Sequence, residues 1–169
     1  MREFNLVSEW RLGAPIELVW DALVRPQDWP RWWPYVREAL PIAAGNARGI
    51  GAGTRYVWSN RLPYRLAFDM RTTRAEPPVL LEGEARGDLE GRGRWLLARD
   101  AGTTAVRYES RVHTTKRWMN VVGPLLAPFF AWNHHQVMRA GGRGLAEYLG
   151  ARYVSCSSRR ATSHATLFG

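Results

Sequence analysis

Hydrophobic and polar residues alternate with period two over most of residues 4–114, which is typical of β-strands. The alternation predicts a first strand at 4–12 and six later strands, at 37–42, 54–60, 64–74, 79–87, 89–99 and 104–114. One face of these strands is charged and the other apolar, which predicts an antiparallel sheet with one face in water. Large aromatic residues on the inner face stand beside small ones, Gly83, Ala85 and Ser110, and this predicts a hollow next to the sheet.

Helical spacing appears in three places. Residues 16–24 predict a short helix after Pro15, and the prolines within 27–36 allow only a further helical turn. Residues 116–148 predict a long helix, with Pro124 and Pro128 expected to kink or interrupt its first half. One apolar stripe of this helix carries Phe130, His134, Val137, Met138, Gly141, Leu145 and Tyr148.

This order of elements predicts an α+β fold. A curved antiparallel sheet of six to seven strands needs a cover for its concave face, and only the long C-terminal helix is large enough. We therefore expect the sheet to wrap around that helix, with two short helices after the first strand.

The chain of 169 residues fits one domain, which we place at residues 1–150. Residues 151–169 lose periodicity and are rich in Ser and Arg, so we expect a basic, poorly ordered tail. A single cysteine excludes a disulfide framework and a cysteine-based zinc site within one chain. With neither a signal-peptide core nor an uncharged apolar run of ~20 residues, a cytoplasmic location is expected.

The charge balance is basic, with 24 Lys and Arg against 15 Asp and Glu. Such a balance favours anionic partners in general. The arginines, however, are spread through every segment and interleaved with acidic residues, so we do not expect a nucleic-acid partner. Exposed tryptophans or sheet edges could pair two chains into a homodimer.

Four segments carry a resemblance to a known family: Ala14–Leu23, Trp29–Pro34, Gly87–Trp95, and Trp132–His134 with Val137 and Met138. Over residues 2–150 the chain resembles the START-like (SRPBCC) superfamily, specifically its polyketide cyclase/dehydrase branch. The resemblance implies a helix-grip fold around an apolar cavity for lipids, sterols, polyketides or other hydrophobic ligands. It implies no single reaction, because such folds serve carriers, sensors and cyclases alike.

The candidate site consists of side chains that are expected to face inward. On the strands these are the residues on the inner face of the period-two alternation, and on the long helix they are those on its apolar stripe. Polar groups set orientation in an apolar wall, and the inward polar candidates are Ser8, Tyr56, Trp58, Asn60, Tyr64, Tyr108, Ser110, Asn133 and His134. The predicted ligand-binding set is Tyr56, Trp58, Tyr64, Phe68, Trp95, Tyr108, Ser110, Phe130, Asn133, His134, Val137 and Met138.

Two of these residues are candidates for catalysis. The place of His134 on the apolar stripe suggests an imidazole that acts near neutral pH as general acid or base. The alternative is a structural histidine bonded to a strand carbonyl or a Tyr hydroxyl. Tyr108, like Tyr56 and Tyr64, could donate a hydrogen bond to a ligand carbonyl or stabilise an enolate. The alternative is that these tyrosines only fill space against the curved sheet.

No other motif predicts chemistry. Four histidines without a carboxylate set predict no metal site, and we expect no cofactor. Trp29, Trp32 and Trp33 predict a packing lid over one end of the cavity. Their alternative role is a flexible entrance that touches membrane, since basic residues flank them.

Three functions remain open, in this order. The first is binding of a hydrophobic small molecule (a lipid, polyketide or aromatic) between the sheet and the long helix. The second is a polyketide cyclase or dehydratase that uses His134 and a pocket Tyr. The third is a membrane-associated lipid or quinone carrier, suggested by the uncharged segment 118–132 and the basic balance.

Overall fold

The computed structural model describes residues 3–59 and 65–160. In this part of the chain, the strands are β1 (Glu3–Gly13), β2 (Val36–Ala43), β3 (Gly53–Ser59), β4 (Arg65–Glu76), β5 (Leu80–Gly87), β6 (Leu89–Asp100), β7 (Thr103–Thr114) and β8 (Arg152–Arg160). The α-helices are α1 (Ile16–Leu23), α2 (Trp29–Trp32) and α3 (Arg117–Tyr148), and a 3₁₀ turn, Pro26–Asp28, precedes α2.

Within the described residues, all eight strands belong to one antiparallel sheet, in the order β2-β3-β4-β5-β6-β7-β1-β8. The sheet is curved. It is also open, because its edge strands β2 and β8 do not pair with each other. Helix α3 lies against β1 and β8. The predicted helix-grip fold, with a curved antiparallel sheet, a long C-terminal helix and two short helices after the first strand, is confirmed.

The end of the described chain differs from the prediction of a poorly ordered tail. Residues Arg152–Arg160 form β8, which pairs antiparallel with β1 and gives the sheet an eighth strand. The register shifts between Arg11 and Leu12, where Leu12 faces Tyr153 and Arg11 faces Ser155. This irregularity removes the regular alternation by which a strand is found in a sequence. Residues 161–169 lie outside the described residues.

Helix α3 continues as one helix through positions 124 and 128, so the expected interruption at its prolines does not occur. A proline removes one helical hydrogen bond, which a long helix packed along a sheet can tolerate. No helix of the described chain combines the length and hydropathy that crossing a bilayer requires. The expected peripheral membrane contact, homodimer and cytoplasmic location stay predictions.

A tryptophan cluster joins α2 to the C-terminal half of α3. Trp29, Trp32 and Trp33 are all buried, as a packing lid requires, and their alternative role as a membrane-touching entrance stays a prediction. The indole N–H of Trp33 donates to the carbonyl of Val137, 2.8 Å away. Gly141 brings the helix backbone against the Trp33 ring, since a Cβ there would lie 2.3 Å from that indole. This close packing holds α3 against the residue that follows α2.

Candidate functional site

A cavity of about 560 Å³ lies between the curved sheet and α3. It is the hollow predicted from the small inward residues, and Gly83, Ala85 and Ser110 all line it. The described members of the predicted ligand-binding set also line it: Tyr56, Trp58, Phe68, Trp95, Tyr108, Ser110, Phe130, Asn133, His134, Val137 and Met138. Asn60 and Tyr64 lie outside the described residues.

Aromatic rings in mutual contact form much of the cavity wall. Trp95 and Tyr108 have ring centroids 4.4 Å apart, and those of Trp33 and Trp58 are 4.7 Å apart. Tyr56 lies 5.7 Å from Phe68. Such pairs are held by edge-to-face and tilted contacts as well as by burial, so they give the wall a fixed shape.

Gly93 lets the Tyr108 side chain cross the inner face of the neighbouring strand β6. A Cβ at position 93 would lie 2.8 Å from the Tyr108 hydroxyl oxygen, which is closer than real contacts allow. The same glycine lines the cavity. The missing side chain therefore gives the Tyr108 phenol its place in the wall.

His134 lies in the wall on α3 and contacts the sheet. Its Nε2 is 3.2 Å from the Ser8 hydroxyl oxygen, so the partner of this nitrogen is a strand serine, where a strand carbonyl or a Tyr hydroxyl was the expected structural partner. Burial, with a smaller contribution from neighbouring His135, lowers the pKa of His134 to about 4. The imidazole is therefore neutral at pH 7. It can accept a proton there, and it can act as an acid only after it has taken one up. Its predicted catalytic role stays a prediction.

Tyr108 and Tyr56 are protonated phenols at neutral pH. Burial raises the pKa of Tyr108 to about 12. Burial also raises the pKa of Tyr56, with a smaller contribution from Tyr108, against the opposing effect of a hydrogen bond to Thr54. Each hydroxyl can therefore donate a hydrogen bond to an oxygen of a bound molecule, and neither acts as a base.

Two other polar atoms of the wall have no hydrogen-bond partner among the described residues. They are the side-chain carbonyl oxygen of Asn133 and the indole nitrogen of Trp58, both buried. Buried polar atoms normally have partners, because leaving one unpaired costs about 1–3 kcal/mol. A ligand carrying one donor and one acceptor matches this pair.

Full charges are scarce in the cavity. Of the described lining residues, only Arg48 and Glu82 carry one. Arg48 is exposed, in the β2–β3 connection, where the Asn46 side chain accepts the backbone N–H groups of Arg48 and Ile50. Among the residues that the structure describes, no group of three or more His, Cys, Asp or Glu could hold a metal ion.

A family comparison matches nearly the whole of this fold. The family model described as polyketide cyclase / dehydrase and lipid transport covers residues 4–150. The chain belongs to this family. The matched range contains the cavity-lining residues and α3, and it ends before β8.

Solved structures share the fold of this polyketide cyclase/dehydrase family member at low sequence identity. A START superfamily protein from Mycobacterium smegmatis is similar with a TM-score of 0.70 and 11% identity, over 86% of this chain and 97% of that one. The Zhui aromatase/cyclase from Streptomyces sp. R1128 is similar with a TM-score of 0.68 and 10% identity, over 88% and 94%. No curated protein matches the sequence.

A third similar structure is a two-domain aromatase/cyclase, BexL of the BE-7585A biosynthetic pathway. The TM-score is 0.69 at 19% identity, over 89% of this family member and 51% of that longer chain. At these identities the likeness establishes the fold alone.

Sequence patterns missed three parts of the site. Trp29 and Trp33 line the cavity itself as well as covering it, and Arg48 reaches it from a Gly-rich loop without periodicity. Ser158 of β8 contacts Ser8 and so connects to His134. The Tyr-Val pair at 153–154 was the available signal for β8, since both residues favour strands.

Proposed function

We propose that this protein binds a hydrophobic small molecule in the cavity between the sheet and α3. The observation that carries the proposal is the cavity's size together with its wall. About 560 Å³ lies within the roughly 300–1,000 Å³ range of small-molecule sites. Aromatic and aliphatic side chains make up most of the lining, with a few polar groups among them, and this is the usual composition of such sites.

The polar groups give the proposed ligand a chemical class. Tyr56 and Tyr108 donate hydrogen bonds, while the unpaired side-chain carbonyl oxygen of Asn133 accepts one. A largely apolar molecule with carbonyl or hydroxyl oxygens, such as a polyketide, an aromatic or a lipid, uses both. The family description, which names cyclases, dehydrases and lipid transport, supports the same range of ligands.

Filling the cavity tests this function. Ala85 is buried on β5 and lines the cavity, so Ala85→Phe places a ring in the proposed binding space. We expect the affinity for the neutral fluorescent probe N-phenyl-1-naphthylamine to fall at least tenfold, measured by fluorescence titration. A tenfold loss corresponds to about 1.4 kcal/mol.

The matched control is Ala98→Phe, which adds the same ring at an exposed position of the adjacent strand β6, away from the cavity. We expect that variant to bind the probe like the unaltered protein. Equal probe affinity in both variants and the unaltered protein would show that the cavity is not the binding site. Mass spectrometry of molecules that co-purify with the protein would identify the natural ligand.

A second candidate function is that of a cyclase, favoured by the neutral imidazole and the protonated Tyr108 phenol in one cavity. His134 would take a proton from a carbon between two carbonyls, and Tyr108 would donate a hydrogen bond to the enolate oxygen. The carbanion would attack a distant carbonyl carbon of the same molecule. The imidazolium would then return its proton to the alkoxide formed. Loss of water from this aldol and enolisation of the remaining ring carbonyls give the aromatic ring, so no other reactant is needed.

For this candidate we expect His134→Gln and Tyr108→Phe each to lower kcat about 100-fold on a short poly-β-ketone thioester, with a much smaller change in KM. The appearance of the aromatic product in absorbance measures the rate. His135→Gln is the matched control, since His135 does not line the cavity and contributes less than burial to the lowered pKa of His134. We expect its kcat to change far less than 100-fold. Unchanged turnover in His134→Gln would remove that residue from the mechanism and leave the binding function in place.

A further inference from the structure

Three side chains form a hydrogen-bonded series that runs from the cavity wall to the edge of the sheet. His134 Nε2 lies 3.2 Å from the Ser8 hydroxyl oxygen, which lies 2.8 Å from the Ser158 hydroxyl oxygen. Helix α3, strand β1 and strand β8 contribute one residue each. The middle hydroxyl, that of Ser8, is almost completely buried, with 1% of the residue exposed. Its two side-chain partners therefore decide where its proton points.

Ser158 comes from the strand that the family match does not include. The match ends at residue 150, and β8 spans Arg152–Arg160. In the β1–β8 pairing Ser8 and Ser158 stand directly opposite each other. Directly opposed residues project to the same face with their Cβ atoms about 4.5–5.5 Å apart, which allows two serine hydroxyls to bond. The pairing of β8 with β1 thus places Ser158 in contact with Ser8 and so beside the site.

The direction of these hydrogen bonds determines the tautomer of His134. A neutral imidazole has one N–H donor and one acceptor nitrogen. If Ser158 donates to Ser8, the Ser8 proton is free to bond Nε2, and the ring proton is on Nδ1. If instead Ser8 donates to Ser158, it accepts from Nε2–H, and the ring is the other tautomer. Burial keeps the imidazole neutral at pH 7, so one of these two states applies.

We infer that Ser158 is a positioning residue for His134: through Ser8 it fixes the orientation and tautomer of the imidazole on the cavity wall. The strand β8 is therefore part of the site, not only an addition to the sheet. The effect on a ligand or a reaction rests on the function proposed above. The control of the ring by Ser158 does not, because it requires only the hydrogen bonds among the three side chains.

The test is nitrogen NMR of the full chain labelled with ¹⁵N-histidine, with the His134 signals assigned by their loss in His134→Gln. Thr and Val have nearly the same shape, and both favour strands, so Ser158→Thr and Ser158→Val differ in the hydroxyl alone. We expect Ser158→Val to change the tautomer pattern of His134, seen as a shift of its two ring nitrogen signals. Ser158→Thr should keep the pattern of the unaltered protein.

Ser157→Val is the matched control, because Ser157 is the exposed neighbour on the same strand. It should leave the His134 signals in place. Ser158→Ala removes the hydroxyl without a branched side chain and gives the same reading if the Val variant fails to fold. His134 signals identical to the unaltered protein in the folded variants without the hydroxyl would overturn the inference. Loss of probe binding by Ala85→Phe bears only on the proposed function, so the two can fail separately.

Discussion

Replacing Gly144 by Ala should destabilise the protein by about 3 kcal/mol or more, because there is no room for a methyl group. A Cβ at this position of α3 would lie 1.7 Å from the backbone carbonyl oxygen of Trp32. No side-chain rotation can relieve a clash with backbone, so α2 and α3 must separate. Thermal unfolding followed by circular dichroism should show a Tm lower by about 6–12 °C.

The predicted loss of stability in Gly144→Ala is opposite in sign to the usual effect of this substitution in a helix, so it tests the packing of α2 against α3. On an exposed helix, Gly to Ala is stabilising by about 1 kcal/mol, because Ala is the better helix former. Gly142→Ala is the matched control on the same helix. Its Cβ would lie 3.0–3.1 Å from atoms of the Trp10 indole, a side chain that can shift slightly. We expect a clearly smaller loss there. A Gly144→Ala variant that melts at or above the unaltered protein would contradict the α2–α3 packing.

The sheet could be predicted because one physical rule governs most of it. Strands with one wet face alternate strictly, and β4 to β7 do so over long runs with short connections. The long helix could be predicted because the apolar residues stop alternating with period two and recur at helical spacing from residue 116 onward. The cavity could be predicted because small residues stand beside large aromatic ones on the inner face of the sheet and leave space there. These small residues are Gly83, Ala85 and Ser110.

Strand β8 could not be predicted because its signal is not local. Its pairing with β1 is interrupted by a register shift at Arg11 and Leu12, so its inward residues do not recur at every second position. Its pairing partner β1 lies at the other end of the chain, so the sequence around β8 does not show it. Strand β8 also packs against α3, where the Arg143 guanidinium lies 5.6 Å from the centre of the Tyr153 ring.

The sequence predicted which residues line the cavity, but it predicted less about their hydrogen-bond partners and pKa values. Periodicity says which side of an element a residue faces, and this placed His134 and Tyr108 in one wall. It does not give the partner of a side chain or the amount of water around it. Those two quantities set the pKa, so the neutral state of His134 and its bond to Ser8 required the three-dimensional arrangement.

His134 should also make stability depend on pH between about 6.5 and 4. In the unfolded chain a histidine takes up its proton near pH 6.5, whereas in the folded protein burial lowers the pKa of His134 to about 4. Between these values the unfolded state binds more protons, so stability rises with pH across the window. The contribution of His134 is complete above pH 6.5, falls as the pH drops, and is lost near pH 4. Its full size is about 3 kcal/mol.

Urea unfolding of the unaltered protein and of His134→Gln at several pH values measures this contribution. Carboxylates titrate in the same range, so the difference between the two proteins isolates the histidine. We expect that difference to shift by up to about 3 kcal/mol between pH 7 and pH 4, with the unaltered protein losing more. In His135→Gln the pH dependence of stability should persist, but the lower pH limit of the range should rise slightly. The reason is that neighbouring His135 contributes to lowering the pKa of His134 in the folded protein. Parallel pH profiles for the unaltered protein and His134→Gln would mean that folding does not lower the pKa of His134, which would contradict its burial in the cavity wall.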